Sequence, residues 1–167
     1  VTERLDAVIA HLADSGAFVP PGRVRLDGNG DSPELSRALI DLIIDGKKRA
    51  GTALLWSFEH EGEPLPRVGD IDIVLDHTGA PVLVTRQVRV EVRPFAEVDA
   101  ACAAIEGEGD GSHASWRMVH DECFRCECAR AGRIADAAMP VVCNVFEVIA
   151  TVPPFGPDRA RATARGS

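Results

Sequence analysis

Gly46-Lys47-Lys48-Arg49-Ala50-Gly51-Thr52 closes one amphipathic pattern, opens a second of different period, and carries three consecutive cations in an otherwise acidic chain. A glycine just past a helix end can take the left-handed conformation that releases the following residues from the helix. Their side chains and amides then face whatever occupies the helix-to-strand corner, and anions suit that corner. A plainer account is that Lys47 and Lys48 sit near the negative end of a helix dipole, which favours cations in any case.

Upstream, Ser32-Pro33-Glu34 is a helix start: Asp31 or Ser32 caps free amides, and Pro33 fits the first turn, where its missing donor costs nothing. The spacing predicts a helix to Asp45 with Leu35, Leu39, Leu42 and Ile43 on its buried face. Before it, Leu5, Val8, Ile9 and Leu12 mark a short amphipathic helix, and residues 16–30, rich in Gly, Pro and Asp, read as a loop.

Downstream, Ala53-Leu54-Leu55-Trp56-Ser57-Phe58 reads as a buried strand with Trp56 in the core. Ile71–Asp76 alternates, with Ile71, Ile73 and Leu75 on one face. A long strand follows over Val82–Arg93, its Val82, Val84, Val88, Val90 and Val92 inward, and Arg86 falls in the same register. Either a bulge or edge returns Arg86 to solvent, or it lines a concave anion site. A third helix buries Val98, Ala101, Cys102 and Ile105; Glu106-Gly107-Glu108-Gly109-Asp110-Gly111-Ser112 reads as an irregular loop that lets backbone approach a ligand. A fourth helix, about His113 to Ala131 with Trp116, Val119, Cys123 and Cys126 buried, and an apolar strand, Val141–Val152, complete the pattern. The Pro/Arg tail after it reads as disordered.

At 167 residues, 46% hydrophobic and 26% charged, the composition is that of one soluble globular domain. A net charge of -8 makes duplex DNA an unsuitable partner and confines any nucleic-acid contact to a local cluster. No apolar run approaches the roughly 18 residues that span a bilayer, and an odd number of cysteines without a signal peptide is read as reduced thiols in the cytoplasm. Cys123-x-x-Cys126-x-Cys128 with His120 invites a zinc reading, but no second Cys/His pair completes four ligands, so no metal and no cofactor is expected. No Gly-x-Ser-x-Gly elbow, Walker loop or dinucleotide fingerprint occurs. What remains is a lysine beside a helix end, a carboxylate in a glycine-rich loop and nearby hydroxyls. Lysine can stabilise an oxyanion or act as a base, and glutamate can move a proton. That chemistry suits metal-free hydrolysis of an amide or phosphodiester.

Several ordered motifs carry a resemblance: Gly30-Asp31-Ser32-Pro33-Glu34-Leu35, Gly46-Lys47-Lys48-Arg49-Ala50, Leu54-Leu55-Trp56, Gly62–Asp70, Glu106-Gly107-Glu108-Gly109-Asp110, Trp116, Glu127–Arg130 and Met139–Cys143. Together they resemble the ASCH (activating signal cointegrator homology) family over about Gly30 to Val148. The resemblance implies an α+β fold, a PUA-like small mixed β-barrel with flanking helices. It divides the chain into an N-terminal helix and linker (1–29), the ASCH domain (30–152) and the tail (153–167). It further implies binding of single-stranded RNA or a nucleoside or nucleotide, relatives including a ribonuclease and an N4-acetylcytidine amidohydrolase. In the amidohydrolase-like members a lysine, a threonine and a glutamate form the site; Lys48 matches the lysine and Glu108 best matches the glutamate. Gly51 stands where relatives carry a hydroxyl, with Thr52 beside it, so strand register decides whether a hydroxyl reaches the site. The Gly111–Ser115 loop also departs, lacking a basic residue. On this reading Lys48 stabilises charge, Glu108 carries the proton, Thr52 or Ser112 orients water, and Lys47, Arg49, Arg86 and Trp56 hold RNA or ligand. The competing reading is a noncatalytic module that binds RNA, a modified nucleoside or a protein.

Overall fold

The computed structural model describes residues 2–14, 16–17, 19–28, 30 and 32–152; Asp31 and the tail 153–167 lie outside the described residues. In chain order the elements are α1 (Thr2–Asp14), β1 (Val24–Gly28), α2 (Pro33–Ile44), β2 (Ala50–Leu54), α3 (Leu55–Glu61), β3 (Ile71–Leu75), β4 (Pro81–Pro94), a 3-10 turn (Phe95–Glu97), α4 (Ala100–Glu106), α5 (His113–Arg130) and β5 (Pro140–Thr151). The strands form one mixed five-stranded sheet, order β1-β3-β4-β5-β2, flanked by helices, an α+β fold. Two units divide the described residues: one drawn from Val1–Gly46, Gly69–Gln87 and Glu147–Ser167, the other from Lys47–Val68 and Val88–Phe146.

In the first unit, Val8 and Leu12, one helical turn apart on α1, pack on Ile71, Ile73 and Leu75 of β3 together with Val84 and Val152. Each such side chain, fully buried, contributes on the order of 1.5–3 kcal/mol. β1 occupies the second half of the stretch read as a loop, and runs parallel to β3 with Val24 opposite Ile71. Gly and Pro around it masked a strand whose sequence is only five residues long, and its burial is partial. Arg25 donates to Asp72 at 2.9 Å and Gln87 donates to the same carboxylate at 2.5 Å, so the buried acid in the middle of β3 is satisfied. Arg23 pairs with Asp70 at the start of the same strand.

Ser32 caps α2, its hydroxyl accepting from the Leu35 amide at 3.2 Å, and Gly46 at φ +79° releases the chain after it. The buried face is Ser36, Ile40 and Ile43 rather than the leucine row; Leu35 is exposed. Apolar residues surround most of this helix, so the pattern alone could not select which row faces inward. The inward reading of β4 holds to Val84 and then fails: Val88 and Val92 are about half exposed (44% and 51%). Arg86 lies opposite Ile71, turns to solvent and donates to Glu147 at 3.2 Å.

In the second unit β2 pairs antiparallel with β5, Thr52 opposite Cys143. Leu54, Phe95, Val98, Ala103, Trp116, Phe124, Cys128, Met139 and Val141 form its core. Ala53–Phe58 is a strand only in its first two residues. β2 stops at Leu54 and Leu55 begins α3, which ends at Gly62 with φ +68°. A helix here lets Trp56 pack on the core, with the Arg133 guanidinium 4.7 Å above its ring, and brings the Ser57 hydroxyl 2.5 Å from Glu127. Those tertiary contacts override the strand propensity of the segment. On α5 the buried row is Trp116, His120, Phe124 and Cys128, an i, i+4 series, while Val119, Cys123 and Cys126 are exposed. α4 buries Ala103 and Glu106, not Ile105, which is exposed. His120 and the two exposed cysteines therefore point different ways, and among the described residues no group of three or more His, Cys, Asp or Glu could hold a metal ion.

Candidate functional site

The second unit holds a compact charged cluster beneath the Lys47–Thr52 corner. It exists because α4 ends at Glu106, whose next residue, Gly107, has φ +66° and lies against the backbone of Lys47. A Cβ on Gly107 would sit 2.3 Å from the Lys47 carbonyl oxygen, a distance no side chain tolerates. The Arg49 amide donates to the Ile105 carbonyl at 3.0 Å, tying the corner to the end of α4. This close approach carries Glu106 and Glu108 to Lys48 from two sides.

Lys48 is buried, its side chain 6% exposed. Its ammonium donates to Glu108 Oε1 at 2.5 Å and lies 3.6 Å from Glu106 Oε1. Glu106, itself 3% exposed, accepts from the Thr52 amide (3.2 Å), the Thr52 hydroxyl (2.9 Å), the Trp116 indole N–H (2.7 Å) and His120 Nε2 (3.3 Å). Its acceptor capacity is essentially filled. Glu108 is different: it meets the ammonium and keeps 26% of its side chain exposed, so it forms the open side of the cluster. Burial pushes the Glu106 carboxyl up, but the His120 hydrogen bond, the charges of Lys48 and His120 and the Trp116 indole together hold it below the usual glutamate range. Burial lowers His120, but its bond to Glu106 and that carboxylate's charge outweigh it and hold the imidazole above its ordinary value.

The sequence reading therefore finds Lys48, Glu108 and Thr52 together, and misses Glu106, His120 and the indole of Trp116 that organise them. Gly51 and Thr52 face opposite sides of β2: a Cβ on Gly51 would approach the Asn144 side chain at 3.2 Å, whereas the Thr52 hydroxyl meets Glu106. A hydroxyl does reach the cluster, from the neighbouring position. Beside it a cavity of about 10 Å³, lined by Gly51, Thr52, Cys102, Ile105, Cys143 and Asn144 among others, has room for one water at most. Burial pushes the Cys143 thiol up to about 11, against the hydrogen bond with Thr52.

The remaining candidates have other surroundings. Ser112 caps α5, accepting from the Ser115 amide at 3.1 Å while its own amide donates to Asp110 at 2.9 Å. Arg49 donates to the Lys48 carbonyl at 2.8 Å, Lys47 is exposed, Arg86 pairs with Glu147 and Trp56 lies beneath Arg133. A groove of about 480 Å³ in this unit runs past Phe95, Arg117, Met118 and Asp136, and no member of the Lys48 cluster lines it.

A mixed sheet of this order flanked by helices defines the class of domain, an α+β fold of the PUA-like kind. The model of the ASCH domain family matches residues 28–150, and the chain belongs to that family. An ASCH domain from Lactobacillus crispatus is 28% identical with a TM-score of 0.75, covering 87% of this chain and 94% of that one. A protein from Enterococcus faecalis, 23% identical with a TM-score of 0.73, shares the fold across 100% of this chain and 98% of its own. No match was found among curated proteins.

Proposed function

We propose that this ASCH domain binds a short single-stranded RNA segment or a nucleotide-sized ligand at the open, Glu108 side of the Lys48 cluster, and hydrolyses an amide or phosphodiester there. The observation that carries the reading is a buried ammonium placed between a saturated carboxylate and a partly open one. For an amide such as that of N4-acetylcytidine, Glu108 takes a proton from water as the water oxygen attacks the carbonyl carbon. The ammonium of Lys48 donates to the oxyanion that forms, where a fixed cation in a poorly hydrated site acts strongly. Glu108 then returns the proton to the departing amine, and acetate and cytidine leave. The Thr52 hydroxyl spends its proton on Glu106 and keeps lone pairs with which to hold the water. Lys47 and Arg49, flanking Lys48, supply local positive charge for a phosphate. Ser112 caps α5, Arg86 pairs with Glu147 and Trp56 packs beneath Arg133, and none of the three is given a part in this machinery. The acidic charge of the whole chain favours a few nucleotides over a long duplex.

A noncatalytic binding module is the second reading, favoured by Lys48 already meeting two carboxylates and by Gly51 replacing the relatives' hydroxyl. Incubation of the protein with single-stranded RNA and with N4-acetylcytidine, read by mass spectrometry beside Lys48→Ala and Glu108→Gln, separates the two. Product from the wild type that disappears in both variants is expected. Intact substrates that nevertheless bind, with affinity lost in Lys48→Ala, would replace the hydrolase reading with the binding module.

A further inference from the structure

His120 is buried on α5, and both ring nitrogens face acceptors: Nδ1 lies 2.9 Å from the Trp116 carbonyl and Nε2 3.3 Å from Glu106 Oε1. A neutral imidazole has one N–H to donate, and only the imidazolium satisfies both contacts. Its ring stacks on the Trp116 indole at 4.2 Å between centroids and meets Phe124 edge-on at 5.5 Å, so water has little access. The charged groups that act on it are Glu106 at the end of α4 and, more weakly, Glu108 in the following loop. Lys48 faces it across the Glu106 carboxylate. With His120 protonated, two cations balance two carboxylates in this cluster. With it neutral, one ring nitrogen has lost its proton, so a lone pair faces either the Trp116 carbonyl or the Glu106 carboxylate, and the cluster carries an uncompensated negative charge.

We propose that Glu106 is a positioning residue held by an imidazolium at His120, and that this pair fixes the Lys48 ammonium toward Glu108, so the site is assembled when His120 is protonated and loosens when it is not. Its importance for catalysis or binding rests on the Lys48–Glu108 reading above; its geometry does not. Loss of the proton removes the positive charge that balances Glu106 and leaves one of the two ring contacts unsatisfied, and Glu106 in turn carries Thr52 and its share of Lys48.

The test is a pH titration of the full isotope-labelled chain by long-range proton–nitrogen correlation of the histidine rings. His120 is expected to titrate with a midpoint above the ordinary value of about 6.5, both ring nitrogens carrying protons below that midpoint. The Trp116 indole N–H resonance should move with the same midpoint, because both groups donate to Glu106. Glu106→Gln should lower the His120 midpoint by roughly one unit or more. A wild-type His120 midpoint at or below the ordinary value of about 6.5, an unmoved midpoint in Glu106→Gln, or an indole signal that ignores the titration overturns the proposal. Should Glu106→Gln fail to fold, His120→Gln, which can donate but not ionise, supplies a second route. A group whose folded value is raised contributes stability that is complete below its unfolded value and lost as pH rises through the folded one. Wild-type urea stability should accordingly fall, as pH rises from about 6.5 through the raised folded value, more than that of His120→Gln; equal slopes would sink the idea. Absent hydrolysis with the titration as described removes only the catalytic reading, whereas activity with a neutral His120 removes only the coupling.

Discussion

Replacing Gly107 by alanine isolates the contact that brings the two carboxylates to Lys48. Two costs add. An L-residue at φ +66° gives up about 1 kcal/mol relative to glycine. The new Cβ, built 2.3 Å from the Lys47 carbonyl oxygen and 2.8 Å from its carbon, meets backbone rather than a side chain that could swing away. Such overpacking costs about 1–3 kcal/mol, so a total of about 2–4 kcal/mol is expected. Gly62 is the matched control: it also follows a helix, at φ +68°, and a Cβ there meets nothing within 4 Å. Gly62→Ala should therefore cost about 1 kcal/mol, the conformational part alone. Urea unfolding of the two variants measures the difference directly, and with a slope of about 2 kcal/mol/M, the middle of the usual range, the Gly107 midpoint should fall by about 1–2 M. Equal losses in the two variants would refute the argument, because the close approach of the Glu106–Glu108 loop to the Lys47–Lys48 backbone would then carry no steric weight.

Lys48→Met should destabilise by about 3 kcal/mol, the low end for one half of a buried ion pair, because Glu106 keeps His120 as its cation; Lys48→Met combined with Glu108→Gln should recover part of that loss in the same denaturation assay. On the acid side the sign reverses. The depressed Glu106 carboxyl contributes stability that is present above the ordinary glutamate value of about 4.3 and lost as pH falls through its lower folded value. Glu106→Gln should flatten the stability curve in that window, and an unchanged curve would remove Glu106 as a contributor. Cys143, with its thiol pushed up to about 11, should react with a thiol reagent at pH 8 about a hundredfold more slowly than an ordinary cysteine, whereas the exposed Cys123 and Cys126 are accessible to it. Mass mapping of the labelled sites over time checks the order.

The cap at Ser32, the stop at Gly46, the alternation of β3 and the length of β4 and β5 were legible because each is local: a hydroxyl three residues from an amide, a glycine after the last helical turn, a period of two. Helix faces were less legible. On α5 the inward row contains Trp116, His120, Phe124 and Cys128, and a scan for apolar periodicity skips the histidine and takes Val119 instead. The i, i+4 spacing of Trp116, His120 and Phe124 was the available signal. Glu106 was hidden in a similar way. A glutamate beside a glycine-rich acidic run reads as loop, and nothing adjacent reveals that an indole, an imidazole and a threonine converge on it. Trp56 went to a helix rather than a strand because Arg133 and the core of the second unit reward that conformation.

Sequence by itself determined the family, the α+β class, the Lys48–Glu108 pairing as a candidate and the absence of a broad basic footprint, since these rest on ordered motifs and total charge. Tertiary structure decided which carboxylate is saturated and which is open, and which neighbour of Gly51 delivers the hydroxyl. It also brought His120 into the site. Those outcomes depend on contacts across 54 residues between Thr52 and Glu106 and 60 between Lys48 and Glu108, distances over which side-chain periodicity carries no information.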